Sequence, residues 1–210
     1  MPSNFSGTNI RRLGILGGSF DPVHIAHLLT AEAAVEALNL DRVLFVPVGE
    51  QPLKRNRQMA AAQHRLAMVD LAIRDNPRFA LSSVDIDRPG PSYTADTIKI
   101  IGEQSGNSDE ITIWFIMGAD SLGTLPRWHD PGGITARARL AVVRRPGSTI
   151  DMAQLTAQLP QLESAIDWVD APLMEISATD LRERVAHDKS IRYRVPDAVM
   201  EYIQEKGLYK

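Results

Sequence analysis

The sequence predicts an α/β fold, a mostly parallel sheet with helices on both faces. Three observations carry that expectation. Apolar runs of strand length alternate with segments of helical periodicity from residue 13 to residue 208. One run, ITIWFIMG at 111–118, is apolar almost throughout, as a central strand covered on both faces must be. A glycine pair, Gly17–Gly18, closes the first run at a strand's carboxyl end, where sheets of this kind hold ligands.

The elements follow in order. LGIL (13–16) is a strand that feeds a helix from about Val23 to Leu38. RVLFVPV (42–48) is a second strand, β-branched and aromatic. A polar loop with three cations follows at 49–58. Residues 60–75 are helical, because Ala62, Leu66, Val69 and Ile73 fall on one face. FALSSVDID (79–87) reads as a partly exposed strand, and 92–104 as a helix with a Ser or Thr cap. Strands are expected at 111–118, at 139–147 before Pro-Gly, and at PLMEI (172–176). Helices are expected at 177–188 and 196–208, the last with Pro196 in its first turn and Gly207 after its end. No repeat or low-complexity tract interrupts this order. Residues 1–210 therefore read as one domain, with a polar tail at 1–11 and a helical portion at 176–210. The arrangement is doubly wound and Rossmann-like.

Composition removes several function classes. Lys and Arg number 23 against 26 Asp and Glu, a net −3, so no global basic field exists to hold a nucleic-acid duplex. Cysteine is absent, which excludes disulfides, thiolate metal sites and cysteine nucleophiles. No apolar run approaches the roughly 20 residues that span a bilayer. MPSNFSGTNIRR lacks a hydrophobic signal core, so the expected location is cytoplasmic.

The richest stretch is GGSFDPVHIAH, Gly17 to His27. Asp21 fits an N-cap and Pro22 a first helical position. That register puts His24 third in the helix and His27 one turn later, both rings on one face. A helix N-terminus offers unpaired N–H groups and partial positive charge. Glycines let backbone N–H groups approach an oxygen-rich ligand. The sum is a phosphate cradle with two imidazole donors. It is neither GxxxxGK[ST] nor GxGxxG. Taken alone, HxxH also fits two ordinary surface or core histidines. A metal pair lacks any Cys partner and an evident third ligand.

GGSFDPVHIAH resembles GGxFDPxHxGH, the signature of nucleotidyltransferases with paired histidines, with Ala26 where the family has Gly. ISATDLRER (176–184) resembles the second signature, ISSTxIR, with Ala178 in place of Ser. By itself it is also a capping motif, Ser177 with Asp180 three residues on. RPGPSYTADTI (88–98), FIMGADSLGTLPRWHD (115–130) and VVRRPG (142–147) resemble the bacterial nicotinate mononucleotide adenylyltransferases. The resemblance spans about residues 12–208.

The resemblance implies transfer of AMP from ATP, with Mg²⁺, to nicotinate mononucleotide. It implies ATP contacts from Gly17, Gly18, Ser19, Phe20, His24, His27, Gly118, Ser177, Thr179 and Arg182. The acceptor falls to Lys54, Thr94, Asp120 and Trp128. Trp128 matches the family's stacking tryptophan, and Lys54 lies in QPLKRN, which resembles the PxHK loop with Leu53 for His. The catalytic set is His24, His27, Lys54 and Arg182, with no protein metal cage, because the cation rides on the substrate phosphates. Trp114, inside the apolar strand, is expected in the core, and Trp168 has no assigned role. The chain is expected as a monomer or homodimer that binds neither nucleic acid nor membrane. Two alternatives stay open: the amide-bearing nicotinamide mononucleotide as acceptor, and a nucleotide-binding protein on the same fold with weakened catalysis.

Overall fold

The structure, a computed structural model, describes residues 10–50, 59–105, 110–144 and 150–210. The first half holds β1 (Arg12–Gly18), α1 (Ile25–Leu38), β2 (Arg42–Pro47), α2 (Ala62–Ile73), β3 (Phe79–Leu81), α3 (Val84–Asp87) and α4 (Thr94–Gln104). Next come β4 (Thr112–Gly118), α5 (Ala119–Leu122), a 3₁₀ turn (Leu125–Arg127), α6 (Pro131–Arg137) and β5 (Arg139–Val143). The chain then forms α7 (Met152–Gln158), α8 (Leu162–Ala165), β6 (Ile166–Val169), α9 (Ala178–Ala186) and α10 (Asp197–Glu205).

The six strands of the described residues join one parallel sheet in the order β3-β2-β1-β4-β5-β6. Leu13 sits level with Arg42 on one side and Ile113 on the other. Strand side chains alternate between two cores. Leu16, Val43, Phe45, Trp114, Ile116, Ala141 and Val143 face α1, α2, α9 and α10. Leu13, Ile15, Leu44, Val46, Phe115, Leu140 and Val142 face α4, α6, α7 and α8. Helices therefore cover both faces, as the near-continuous apolar strands require. Gly14 is a packing glycine: a Cβ there would meet Leu40 Cδ1 at 2.8 Å and Val43 Cγ2 at 3.0 Å.

The structure corrects several sequence expectations. The segment 79–87 is a strand only to Leu81. Beyond it, Ile86 and Asp87 donate backbone N–H bonds to Ser83 O, closing the short helix α3. PLMEI at 172–176 forms no strand, and Leu173 and Met174 are exposed. The place beside β5 belongs to β6, whose IDWV sequence hides its period. Ile166 and Val169 are buried, while Asp167 accepts from Trp114 Nε1 at 2.7 Å and from Arg139 Nη2 at 2.8 Å. Helix α6 carries no helical signal of its own, because PGGITAR holds two glycines. Its start signal was nonetheless present, since Asp130 accepts from Gly133 N at 2.9 Å with Pro131 beside it. α7 and α8 were also unforeseen. Pro196 is the N-cap of α10 rather than part of its first turn.

Candidate active site

Strand order reverses between β1 and β4, so the crevice at their carboxyl ends is the topological switch point. Gly17–Gly18 ends β1 there, and Gly118 ends β4 as the N-cap of α5.

At one end of the crevice stands the histidine pair. Helix α1 begins at Ile25, with His24 as its N-cap in extended backbone. Asp21 is thus not the cap, and Pro22, joined to it by a cis bond, lies outside the helix. The physical reason is the backbone of Phe20, held at φ 46° with its ring buried against Gly18, His27 and Phe45. That left-handed residue turns the chain before it can enter the helix. The correction alters the register and keeps the pairing. The two imidazoles stack, centroids 3.7 Å apart and planes 24° apart. His24 N–H donates to His27 Nδ1 at 3.2 Å, one half of a capping box. This bond assigns the neutral His27 proton to Nε2, leaving an Nε2–H donor. Burial lowers His24 to about 4. Burial, and then the neighbouring His24, hold His27 well below the usual imidazole range. Both rings are therefore neutral donors at neutral pH. His24 Nδ1 is buried with no hydrogen-bond partner among the described residues, so this nitrogen is left for a group that enters the crevice.

The second signature folds onto the first. Ser177 caps α9, accepting from Asp180 N at 3.1 Å, so the capping interpretation of this motif is correct. The helix also carries Arg182 to the histidine loop. Arg182 Nη1 donates to Asp21 O at 2.6 Å, a contact 161 residues apart in sequence, and its Nη2 donates to Thr179 Oγ1 at 3.3 Å. Ser177 and Thr179 are exposed.

Beside this end lies a cavity of about 310 Å³, reached past Gly17, Gly18 and Phe115. Trp128 and Thr94 line it. The Trp128 ring meets Phe115 edge-on at 6.0 Å, and its Nε1 donates to Thr124 Oγ1 at 3.2 Å. Thr94 is the first residue of α4, and Tyr93 is its cap rather than Ser or Thr. Asp120 is exposed in the first turn of α5 and is not its cap. Lys54 and Leu53 lie outside the described residues. Trp114 is core, as expected. Trp168 is exposed on β6, with the Arg144 guanidinium 5.1 Å from its ring centre.

Several site residues escaped sequence reasoning. Arg65, 2% exposed on α2, donates through Nη1 to Ser19 O (3.0 Å) and Val48 O (2.8 Å), and through Nε to Ala60 O (3.1 Å). It braces the glycine loop against the end of β2. Asp85 is buried in the cavity floor. It accepts from Thr97 Oγ1 at 2.6 Å and from Arg88 Nε at 3.2 Å. Burial raises its pKa, and Thr97 and Arg88 oppose the rise. His129 stacks on Tyr93 at 4.3 Å, and Arg127 stands beside it. No local pattern marked Arg65 or Asp85, whereas Arg127 and His129 flank the tryptophan in LPRWHD.

A glycine turn, two neutral imidazoles and a guanidinium stand beside a half-open, mostly apolar cavity at a doubly wound switch point, the place where such sheets hold ligands. The chain belongs to the cytidylyltransferase-like family, whose model matches residues 15–184. Within it, the chain is 49% identical over 198 residues to a probable nicotinate-nucleotide adenylyltransferase of Roseiflexus sp. (strain RS-1), covering 94% of this chain and 98% of that one. The namesake of Thermomicrobium roseum is 45% identical over 199 residues, 95% of this chain and 92% of its own. Among solved structures, Plasmodium falciparum nicotinic acid mononucleotide adenylyltransferase complexed with NaAD aligns with a TM-score of 0.73 at 18% identity. That alignment covers 95% of this chain and 97% of that one, a likeness of fold.

Proposed function

We infer that this enzyme transfers AMP from ATP to nicotinate mononucleotide, forming nicotinate adenine dinucleotide and pyrophosphate. One observation supports this most directly. Gly17 and Gly18 line the aromatic cavity on one side, and the same loop carries the histidine pair on the other. A pyridine nucleotide in the cavity thus has its phosphate directed toward a polyphosphate held by the histidines.

The acceptor's 5′-phosphate oxygen attacks the α-phosphorus of ATP. One P–O bond forms, the bond to the β-phosphate oxygen breaks, and its electron pair leaves with pyrophosphate. An ionised phosphate needs no general base, so the task is positioning and charge stabilisation. His27 Nε2–H and His24 donate to α- and β-phosphate oxygens. Arg182, with Ser177, Thr179 and the start of α9, holds the β- and γ-phosphates through forked donors. Backbone groups of Gly17, Gly18, Ser19, Phe20 and Gly118 line the ATP path. Trp128 stacks on the pyridine ring. Asp120 receives the acceptor's ribose hydroxyls, and Lys54 its phosphate. ATP enters as its magnesium complex. The magnesium ion is carried mainly by the substrate phosphates and water, so no step is assigned to it.

The acid is favoured over the amide. The first turn of α4, beginning at Thr94, and Arg127 both face the cavity. Helix N–H groups and a guanidinium stabilise a carboxylate more than a neutral amide. The test is incubation with ATP, Mg²⁺ and each pyridine mononucleotide, with chromatography of the products. Dinucleotide is expected from nicotinate mononucleotide with at least about tenfold higher kcat/KM than from the amide, ~1.4 kcal/mol. Dinucleotide from neither acceptor overturns the assignment, and equal rates overturn the specificity.

A further inference from the structure

Beyond α10 the chain turns back on itself. Gly207 N donates to Gln204 O at 3.2 Å and Leu208 N to Ile203 O at 3.0 Å, with Gly207 at φ 59° and Tyr209 at φ 66°. This turn delivers Tyr209 beneath the histidine loop. Its hydroxyl donates to Asp21 Oδ1 at 2.7 Å, 188 residues away in sequence. Ala60 N reaches the same oxygen at 3.2 Å. The other carboxylate oxygen, Oδ2, lies 3.6 Å from Arg182 Nη1. Asp21 is 1% exposed, and its Oδ2 has no hydrogen-bond partner among the described residues, only this looser ion pair, so the bonds to Oδ1 carry much of its positioning.

We propose that Tyr209 is a positioning residue for the triphosphate: its hydroxyl sets the Asp21 carboxylate, and Asp21 sets the Arg182 guanidinium at the phosphate end of the crevice. The proposal rests on the ATP reading of that end. Arg182 Nη1 donates to Asp21 O and pairs loosely with Oδ2, and Nη2 donates to Thr179 Oγ1 at 3.3 Å, which leaves its remaining N–H groups for a ligand. Without the Tyr209 hydroxyl, Oδ1 keeps only the longer Ala60 contact among these donors. The carboxylate is then free to rotate away from its ion pair, which leaves the guanidinium held only by the Asp21 main-chain O and Thr179 Oγ1 and less firmly aimed at the phosphates. Burial and the Asp21 charge both raise the Tyr209 pKa, so its hydroxyl remains a donor through the working range. Arg65 lies in the same electrostatic neighbourhood and stays put through its three carbonyl bonds.

The test is a double-mutant cycle read by calorimetric ATP titration and by steady-state kinetics. Tyr209→Phe is expected to raise the ATP dissociation constant about tenfold and to lower kcat/KM for ATP equally, with the acceptor KM unchanged. In an Arg182→Ala background the same substitution is expected to change ATP affinity by less than about twofold. Tyr202→Phe is the control. It also removes a hydroxyl near the end of α10, one that bonds His64 Nδ1 at 2.9 Å on α2, and it should leave ATP affinity unchanged. If Tyr209→Phe fails to fold, Asp21→Asn enters the same cycle with the same expectation. Equal losses in both backgrounds, no loss in either, or an equal loss from Tyr202→Phe overturns the proposal. A wild-type protein that binds no ATP overturns the ATP reading itself, whereas normal wild-type binding with an unmoved Tyr209→Phe overturns this proposal alone.

Discussion

Two stacked ring pairs flank the crevice, and they do opposite work. His24 and His27 lie 3.7 Å apart with planes 24° apart; Tyr93 and His129 lie 4.3 Å apart with planes 30° apart. The contact geometry is similar. The surroundings are not. The first pair sits under Phe20 at a helix start, with His24 buried. The second forms the rim of the cavity, with His129 exposed. Stacking alone therefore does not assign a role. Burial keeps the first pair neutral, so it meets a polyphosphate as a set of N–H donors. The rim pair contributes aromatic surface to a half-open pocket.

The largest expected effect tests that burial. A lowered imidazole pKa in the folded state means the unfolded chain takes up protons first as pH falls. The stability present above pH 6.5 is therefore lost progressively down to about pH 4, by about 3 kcal/mol for His24 alone. Urea unfolding across that range should show a flatter profile for His24→Gln than for the parent. Matching slopes would mean that His24 is not held neutral by the fold.

Next in size is the chemistry at the same pair. His27→Ala is expected to lower kcat at saturating substrate by about 100-fold, ~2.7 kcal/mol, the scale of one lost donor to developing charge. A loss below about tenfold would remove His27 from the catalytic set. A smaller effect is expected at the pocket. Trp128→Ala should raise the acceptor KM about fivefold, near 1 kcal/mol of stacking and burial, and leave the ATP KM in place. Equal changes in both constants would reject the platform role. The smallest belongs to the rim. His129→Ala should raise the acceptor KM about twofold to fourfold without touching kcat. If it lowered kcat as His27→Ala does, the contrast between the two ring pairs would collapse.

Much of the site was legible because its signatures are short and dense. GGSFDPVHIAH holds the glycine turn, the fixed-φ proline and both imidazoles within eleven residues, and local spacing was enough to bring the rings together. Even there, the register was off by the three residues that Phe20 and the bend before His24 remove from the helix. The strand at 111–118 was evident from its apolar continuity. β6 was not, because Asp167 satisfies its charge through Arg139 and Trp114, partners distant in sequence. Arg65, Asp85 and Tyr209 were invisible for the same reason. A lone arginine, aspartate or tyrosine in a helix or turn has no local pattern, and each acquires meaning from groups it meets only after folding.

The order of residues alone determined the strand–helix alternation and the glycine–histidine loop, since periodicity and spacing act over a few residues, while ISATDLRER was marked by its resemblance to a family signature, its local spacing giving only a helix cap. Only the tertiary structure decided that Arg182 lands on the Asp21 main-chain oxygen and Tyr209 on the Asp21 carboxylate, contacts 161 and 188 residues long. Such contacts exist only because α9 and α10 pack on the same face as α1 and α2, and burial of the charged groups there demands partners that no nearby residue supplies.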